Sequence, residues 1–261
     1  MFELIRSAIL YHVYSGHLFF TALLMFVVGI SVRRLRVLGL LALPLALFSG
    51  TPMPLIAAVP LLVAAIVVLV LPFKGRLVAG VLAVVIAAGI EIPWHLGTAG
   101  EVARAPLVLG DSLASGGFGE TRTWPELLGS RNLSSPSETV ASALERELPV
   151  FQANDVVIVE LGGNDMLDRT PVVDFERSLD ALLGRLKPAR VVMLELPILP
   201  GRWGYGAIQR RLARKHGVVL IPKRVLARAL TGVGNTTDGL HLTDRGHEQL
   251  ARGLARTLGR Y

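Results

Sequence analysis

A serine, an aspartate and a histidine occur in two short motifs whose residue types suit nucleophilic catalysis. Ser112 completes a Gly-Asp-Ser sequence directly after the apolar run 106–109, and a serine hydroxyl becomes an effective nucleophile when a base accepts its proton. Asp238 and His241 are three residues apart across a glycine, a spacing that allows the carboxylate to orient the imidazole within one turn. We therefore predict a triad of these three residues. Taken singly, each has an ordinary alternative as a helix cap, a turn residue or a packed histidine.

The oxyanion that forms in such a reaction needs hydrogen-bond donors, and the sequence Gly-Gly-Asn-Asp at 162–165 offers them. Asn164 carries a side-chain amide that can donate to a developing negative charge; its alternative is an ordinary turn residue. Gly163 lets the backbone approach a substrate closely because it has no side chain, so we predict that it borders the substrate. We assign Asp165 to structure, as an acceptor for loop backbone.

These motifs need a scaffold, and the pattern of residues 101–261 predicts an α/β domain with a parallel sheet. Short apolar runs alternate with segments of helical periodicity, an order typical of a parallel sheet covered on both faces. Active sites in such sheets lie at the carboxyl ends of the strands, and the serine and asparagine motifs each follow a predicted strand. The predicted strands are 106–109, 155–161, 190–196 and 217–221, and the predicted helices are about 123–130, 137–148, 173–187, 205–216, 222–230 and 243–258.

With these residues, the chain from about 104 to 261 resembles the SGNH hydrolase superfamily, also called GDSL esterases and lipases. The resemblance rests on Gly-Asp-Ser-Leu at 110–113, Gly-Gly-Asn-Asp at 162–165 and Asp-x-x-His at 238–241. It implies a flavodoxin-like three-layer α/β/α fold and ester hydrolysis that needs no metal and no cofactor. It also implies an oxyanion hole built from the Ser112 N–H, a backbone N–H of the family's second block, and Asn164.

The family's second block departs from its usual pattern in this chain. Residues 132–139 read Asn-Leu-Ser-Ser-Pro-Ser-Glu-Thr, which places Ser137 where the family has a glycine. The donor at this position is a backbone N–H, so Ser137 can supply it where the backbone angles tolerate a Cβ atom. We therefore expect Ser137 to be the second backbone donor of the oxyanion hole.

Residues 1–100 differ sharply in composition from the rest of the chain and predict a helical membrane region. They contain eight charged side chains, whereas residues 101–261 contain 39. A helix needs about 20 apolar residues to cross a bilayer, so the uncharged run from 37 to 73 must fold back, at the Gly-Thr-Pro-Met-Pro sequence 50–54. We predict four transmembrane helices, at about 11–32, 35–49, 55–72 and 77–95.

Basic residues set the expected orientation of these four helices. Arg33, Arg34 and Arg36 form one basic loop, and Lys74 and Arg76 form a second; such loops stay on the cytoplasmic side. Four spans then place the second domain on the periplasmic or extracytoplasmic side of the cytoplasmic membrane. These loops account for much of the net charge of +7, so we expect the membrane and no nucleic acid as a partner. The chain has no cysteine, which excludes disulfides and cysteine metal sites.

The sequence as a whole predicts a membrane-anchored serine esterase that works through an acyl-enzyme. Closeness to a membrane favours a lipid ester, a lysophospholipid or an acylated envelope glycan as the acyl-ester substrate. Trp203, in the Pro- and Gly-containing segment 197–205, is a candidate for substrate contact, although that segment can equally be a connecting loop. Two alternatives remain open: an acyltransferase that passes the acyl group to another alcohol, and a membrane protein whose outer domain only binds acylated ligands.

Overall fold

A computed structural model describes residues 1–32, 36–49, 51–52, 59, 62–63, 66, 73–97 and 105–259. Within 105–259, a sheet of five strands lies between two layers of helices, and its strands follow the order β2-β1-β3-β4-β5. All neighbouring pairs are parallel. The strands are β1 (Leu107–Gly110), β2 (Arg131–Asn132), β3 (Val156–Glu160), β4 (Arg190–Leu194) and β5 (Val219–Ile221).

The helices of the described residues alternate with these strands in the second part of the chain and precede them in the first. In chain order they are α1 (Phe2–Tyr14), α2 (His17–Ser31), α3 (Arg36–Phe48), α4 (Phe73–Leu96), α5 (Ser112–Ser115), α6 (Trp124–Leu127), α7 (Val140–Glu145), α8 (Gly163–Leu167), α9 (Val172–Arg185), α10 (Trp203–His216), α11 (Arg224–Thr231) and α12 (Asp244–Thr257).

The two faces of the sheet carry separate apolar cores. On one face, residues such as Phe175 of α9 and Leu212 of α10 pack with β-branched side chains of β3. On the other face, Trp124 of α6 and Leu250 of α12 do the same. The central strands are buried on both faces, which explains their continuous Val and Ile content. The predicted parallel-sheet α/β fold is therefore confirmed. The edge strand β2 was not predicted, because its two exposed polar residues carry no apolar signal.

The amino-terminal helices differ from the four predicted transmembrane helices. Among the described residues, only Leu77–Leu96 within α4 is a straight helix long and apolar enough to cross a bilayer. The predicted span 11–32 is broken, because α1 and α2 meet at 86°. The break follows from Gly16, whose left-handed backbone (φ 79°) cannot continue a right-handed helix. A four-helix membrane region is thus not confirmed.

The other predictions for this region are tested only in part. The predicted span 35–49 corresponds to α3, a 13-residue helix that is too short to count as a span by itself. Most of the predicted span 55–72 lies outside the described residues, as do most of the turn at 50–54 and the predicted domain boundary at 100.

The carboxyl end of α4 is fixed to the α/β domain by a buried ion network. Both carboxylate oxygens of Glu91 accept hydrogen bonds from Arg210 of α10, each at 2.8 Å. Arg210 also donates through Nε to Glu195, the residue after β4, at 2.7 Å. The guanidinium of Arg210 lies 4.8 Å from the centre of the Trp94 ring. Because an unpaired charge in such a place is strongly destabilising, the network fixes α4 against the end of β4.

The first helix also lies on the α/β domain. The Ser7 hydroxyl donates to the carbonyl of Thr231 at the end of α11, and the guanidinium of Arg228 lies 5.5 Å from the centre of the Tyr11 ring. These contacts place α1 along α11.

Candidate active site

The serine motif forms the junction between β1 and α5. Asp111 is the N-cap residue of α5, and its carboxylate accepts the Leu113 N–H at 2.9 Å. Ser112 is therefore the first residue of α5, at the carboxyl edge of the sheet. In the described part of the chain, its backbone N–H donates to no protein acceptor. That N–H is available to an oxyanion.

Two carboxyl groups lie buried together beneath the serine. Glu160 is the last residue of β3, and its Oε2 accepts the Asp111 N–H at 3.4 Å. Burial raises the pKa of both carboxyl groups, and the charge of Asp111 raises that of Glu160 further. Because the Asp111 carboxylate caps α5 as an acceptor, we assign the proton of this pair to Glu160. A Cβ atom on Gly110 would lie 2.9 Å from Oε2 of Glu160, so the glycine of the motif makes room for this carboxyl group.

The histidine motif is a tight loop before α12. Asp238 Oδ1 accepts the backbone N–H of Leu240 at 2.9 Å and of His241 at 2.8 Å. Its other oxygen, Oδ2, lies 2.7 Å from Nδ1 of His241. The loop is closed by a hydrogen bond from Thr237 N–H to the His241 carbonyl, at 2.9 Å, and Gly239 adopts the positive φ (91°) that the turn requires. The spacing of Asp238 and His241 thus allows the carboxylate to contact both the backbone and the imidazole.

A glycine-rich loop covers the histidine. Phe118 stacks on the His241 ring with a centroid distance of 3.6 Å and an interplanar angle of 16°. The carboxylate of Glu120 orders this loop by accepting the N–H groups of Gly117 and Phe118. The next part of the loop is tied to α12, because Asp244 Oδ1 accepts the Thr121 N–H at 2.6 Å. One face of the imidazole is therefore covered by the ring of Phe118.

The second block continues the edge of the sheet beyond β2 and brings Ser137 towards the serine motif. The Ser135 N–H donates to the Gly110 carbonyl at 3.0 Å. Ser137 then adopts φ 58°, in the left-handed region, where L-residues other than glycine are uncommon. This backbone explains the glycine that the family has at the position. Within the described residues, the Ser137 N–H donates to no protein acceptor.

Asn164 and Asp165 lie in the first turn of α8, directly after β3. The Asn164 amide donates to the Glu138 carbonyl at 3.0 Å and, more weakly, to Asp111 Oδ2 at 3.4 Å. These contacts place Asn164 between the serine motif and the second block. Asp165 accepts the Val140 N–H at 3.0 Å, so the structural role predicted for it, as an acceptor for backbone, is confirmed.

The serine and histidine motifs border the same cavity, because Leu113 and Asp238 both line it. His241 lies close enough to Asp111 to oppose the rise in its pKa that burial causes. Among the described residues, no hydrogen bond joins the Ser112 hydroxyl to His241. Hydrogen bonds of this kind are often long in substrate-free enzymes and shorten in the complex. Within the same described ranges, no three His, Asp or Glu side chains are grouped as a metal site.

An apolar cavity of about 280 Å³ opens beside these motifs. Gly163 lies on its wall, together with Leu113 and Asp238. Pro197 and Leu199 of the segment 197–205 also line it. Trp203, from the same segment, is the first residue of α10 and packs against the apolar core; it is not part of this wall.

Two residues of this region were not singled out from the sequence. Glu160 has a signal that was available, since it is a carboxyl residue at the end of a strand that is otherwise entirely apolar. Phe118 has none, because its contact with His241 joins loops 123 residues apart. Only the fold brings those two rings together.

Residues 108–249 match the family model described as the GDSL-like lipase/acylhydrolase family. The chain belongs to this family. The match contains the serine, asparagine and histidine motifs, and it leaves helices α1–α4 outside. The resemblance seen in the sequence is thereby confirmed, and the chain is a serine hydrolase of the esterase type. A search of curated proteins found no match.

Solved structures agree with the family's fold. The psychrotrophic esterase EstA from Pseudoalteromonas sp., in a structure inhibited by monoethylphosphonate, is 20% identical with a TM-score of 0.51 and covers 59% of this chain and 96% of its own. A member of the lipolytic G-D-S-L family from Veillonella parvula DSM 2008 is 14% identical with a TM-score of 0.50 and covers 62% of this chain and 100% of its own. At these identities the likeness shows the fold alone.

Proposed function

We propose that this GDSL-like hydrolase cleaves carboxylic esters with Ser112 as nucleophile, His241 as general base and Asp238 as the residue that orients the base. The observation that carries the proposal is the 2.7 Å contact between His241 Nδ1 and Asp238 Oδ2. Hydrogen bonds from the His241 backbone and side chain, and from the Leu240 N–H, hold the pKa of Asp238 well below its usual range. An ionised carboxylate keeps the proton of the imidazole on Nδ1 and leaves Nε2 to accept the serine proton.

The reaction proceeds in two steps on these residues. The Ser112 oxygen attacks the carbonyl carbon of the ester while His241 Nε2 takes the hydroxyl proton. The N–H groups of Ser112 and Ser137 and the amide of Asn164 hold the resulting oxyanion. The bond to the alcohol oxygen then breaks, and His241 gives its proton to that oxygen. Water attacks the acyl-enzyme with His241 as base, which releases the acid and restores the serine.

In the proposed oxyanion hole, the Asn164 amide exchanges its weaker hydrogen bond, to Asp111, for one to the oxyanion. One hydrogen of its amide is held by the Glu138 carbonyl at 3.0 Å, and the other faces Asp111 at the longer distance of 3.4 Å. The second hydrogen is therefore the one that we assign to the oxyanion. Loss of one such donor typically costs about 2.7–4 kcal/mol in the transition state.

The test is hydrolysis of short p-nitrophenyl esters by the detergent-solubilised full chain. Ser112→Ala is expected to abolish turnover, and an alkyl phosphonate, the class of inhibitor seen with EstA, is expected to label the wild-type chain at Ser112. Ser115→Ala, three residues later in the same short helix, is the matched control and should remain active. Full activity of Ser112→Ala, or phosphonate attached at another residue, would refute the assignment.

We also propose that the amino-terminal helices attach the enzyme to a membrane. The candidate span within α4, Leu77–Leu96, has 20 residues, or about 30 Å at 1.5 Å per residue. That length is close to the roughly 30 Å of a hydrocarbon core. Apolar side chains of α1, among them Phe2, Leu4 and Ile9, are exposed, as in a helix that lies in a membrane surface.

The proposed orientation places the hydrolase domain outside the cytoplasm, as the basic residues at 33–36 and 74–76 favour. A reporter fused after Tyr261 is expected to be active only on the extracytoplasmic side, while the same reporter inserted after Arg34 is expected to be cytoplasmic. A cytoplasmic signal from the Tyr261 fusion would exclude this orientation. Release of the chain from membranes by high salt alone would exclude an integral attachment.

A further inference from the structure

Two cavities border the histidine loop, and Tyr14 forms part of the wall of both. The apolar cavity of about 280 Å³ and a second cavity of about 640 Å³ also share Leu230, Asp238 and Gly239 in their walls. Tyr14 is the last residue of α1. It therefore stands where the two cavities meet, beside the residue that orients the general base.

The chemical character of the two cavities is opposite. The first is lined mainly by aliphatic side chains, among them Leu113, Met166, Leu196 and Leu226. The walls of the second include polar and charged side chains, in particular Glu3, Arg6, Ser7 and Thr237. An apolar group that enters the apolar cavity removes both its own surface and that of the cavity wall from water. A polar group that enters the second cavity keeps hydrogen-bond partners there.

The helix that carries Tyr14 is held in place by the hydrolase domain. The Ser7 hydroxyl donates to the Thr231 carbonyl, and Arg228 lies over the ring of Tyr11 at 5.5 Å. The family match begins at residue 108, so α1 lies outside the part of the chain shared with the family. The wall that Tyr14 forms is consequently a feature that this chain adds to the common fold.

We propose that Tyr14 separates the two halves of an amphiphilic ester, with the acyl chain in the apolar cavity and a polar alcohol in the second cavity. This inference rests on the proposed function, because it takes the bond to be cleaved as lying at Ser112. Ser112 does not itself line either cavity, but the next residue, Leu113, lines the apolar one. The substrate class is an ester of a medium-length fatty acid with a polar alcohol. At roughly 30 Å³ for each group the size of a water molecule, the 280 Å³ cavity holds a chain of about eight to ten carbons.

The first test measures acyl-chain selectivity with p-nitrophenyl esters from C4 to C16, using the detergent-solubilised full chain. The wild type is expected to be most active near C8–C10, with kcat/KM rising about fourfold for each methylene up to that length, which corresponds to about 0.8 kcal/mol. Tyr14→Ala opens the wall and is expected to shift the optimum to longer chains by two carbons or more. Tyr14→Phe keeps the wall and should keep the wild-type optimum. Ile9→Ala, on the same helix but exposed and outside both cavities, is the matched control.

The second test asks which half of the ester enters which cavity. Glyceryl monodecanoate carries its long chain on the acyl side, and decyl acetate carries it on the alcohol side. The wild type is expected to prefer the first at least tenfold, and equal rates would overturn the assignment of the halves.

The outcomes separate this inference from the proposed function. If Ser112→Ala is inactive but Tyr14→Ala keeps the wild-type chain-length optimum, the role of Tyr14 is wrong and the esterase mechanism stands. If Ser112→Ala remains active, the mechanism itself is wrong. A shift of the optimum in Ile9→Ala equal to that in Tyr14→Ala would show that the wall at Tyr14 does not set the chain length, and would also overturn the inference.

Discussion

Replacement of Ser137 by glycine is expected to stabilise the protein without changing its catalysis. Ser137 holds φ 58°, and the left-handed region costs an L-residue about 1–2 kcal/mol. Glycine avoids that cost but loses more backbone freedom on folding, by about 0.5–1 kcal/mol. With the middle of each range, the net gain in the free energy of unfolding for Ser137→Gly is about 0.75 kcal/mol. For a domain of this size, that corresponds to a rise in Tm of about 1–4 °C.

The chain contains a matched control for this prediction. Arg169 has φ 61° and, like Ser137, an exposed side chain. Arg169→Gly should raise Tm by a similar amount, since the same backbone strain is removed at a position outside the proposed oxyanion hole. Ser137→Ala keeps the Cβ atom and removes only the hydroxyl, so its Tm is expected to stay at the wild-type value.

The activity measurement separates the backbone of Ser137 from its side chain. Both Ser137→Gly and Ser137→Ala retain the N–H that we assign to the oxyanion, and their kcat/KM for p-nitrophenyl butyrate should stay within about threefold of the wild type, less than 1 kcal/mol in the transition state. A loss of tenfold or more in Ser137→Ala would mean that the hydroxyl takes part in catalysis. A rise in Tm for Arg169→Gly without one for Ser137→Gly would refute the strain assigned to Ser137.

Three further changes test other parts of the structure. Asp238→Asn should lower kcat about 10⁴-fold, because the imidazole loses the carboxylate that fixes its tautomer; a loss below tenfold would contradict the role of Asp238. Burial raises the pKa of Glu160, so between about pH 4.3 and the raised pKa the folded chain keeps a proton that the unfolded chain releases. The stability that this proton contributes is lost as pH rises through that range. The side chain of Glu160→Gln does not titrate, so denaturant unfolding between pH 5 and 8 should show a weaker loss of stability with pH than in the wild type. An unchanged dependence of stability on pH would contradict the raised pKa of Glu160. Glu91→Ala should lower the free energy of unfolding by about 3–5 kcal/mol because it breaks the buried pair with Arg210, whereas Glu3→Ala, at an exposed pair, should cost less than about 1 kcal/mol; equal effects in thermal unfolding would refute the docking of α4.

Much of the fold of the α/β domain was predictable from the chain itself, because the signals are local. Strands such as β3 and β4 are runs of Val, Ile and Met that read as buried parallel strands. The Gly-Asp-Ser and Asp-x-x-His motifs could be recognised for the same reason. In each, residues within four positions of one another build a turn whose backbone and side chains bond mainly to each other.

The amino-terminal region was predicted less well, because apolar composition predicts that a segment is buried but not whether protein or lipid surrounds it. The apolar run 11–32 predicts one continuous span, but the left-handed Gly16 turns the chain by 86° between α1 and α2. From the sequence alone, Glu91 is only a charged residue near the end of a predicted span. Its partner Arg210 is 119 residues away, and no local sequence pattern predicts that pairing.

The sequence by itself determined which residues are able to do chemistry, the class of the fold and the family of the enzyme. Only the tertiary structure decided how these residues are surrounded: the Glu160 carboxyl beneath Asp111, Phe118 on the face of His241, and Tyr14 between two cavities. The physical reason is the range of the interactions. Turns and strands arise from neighbouring residues, whereas a cavity wall or a buried carboxyl pair joins segments that come together only when the whole chain has folded.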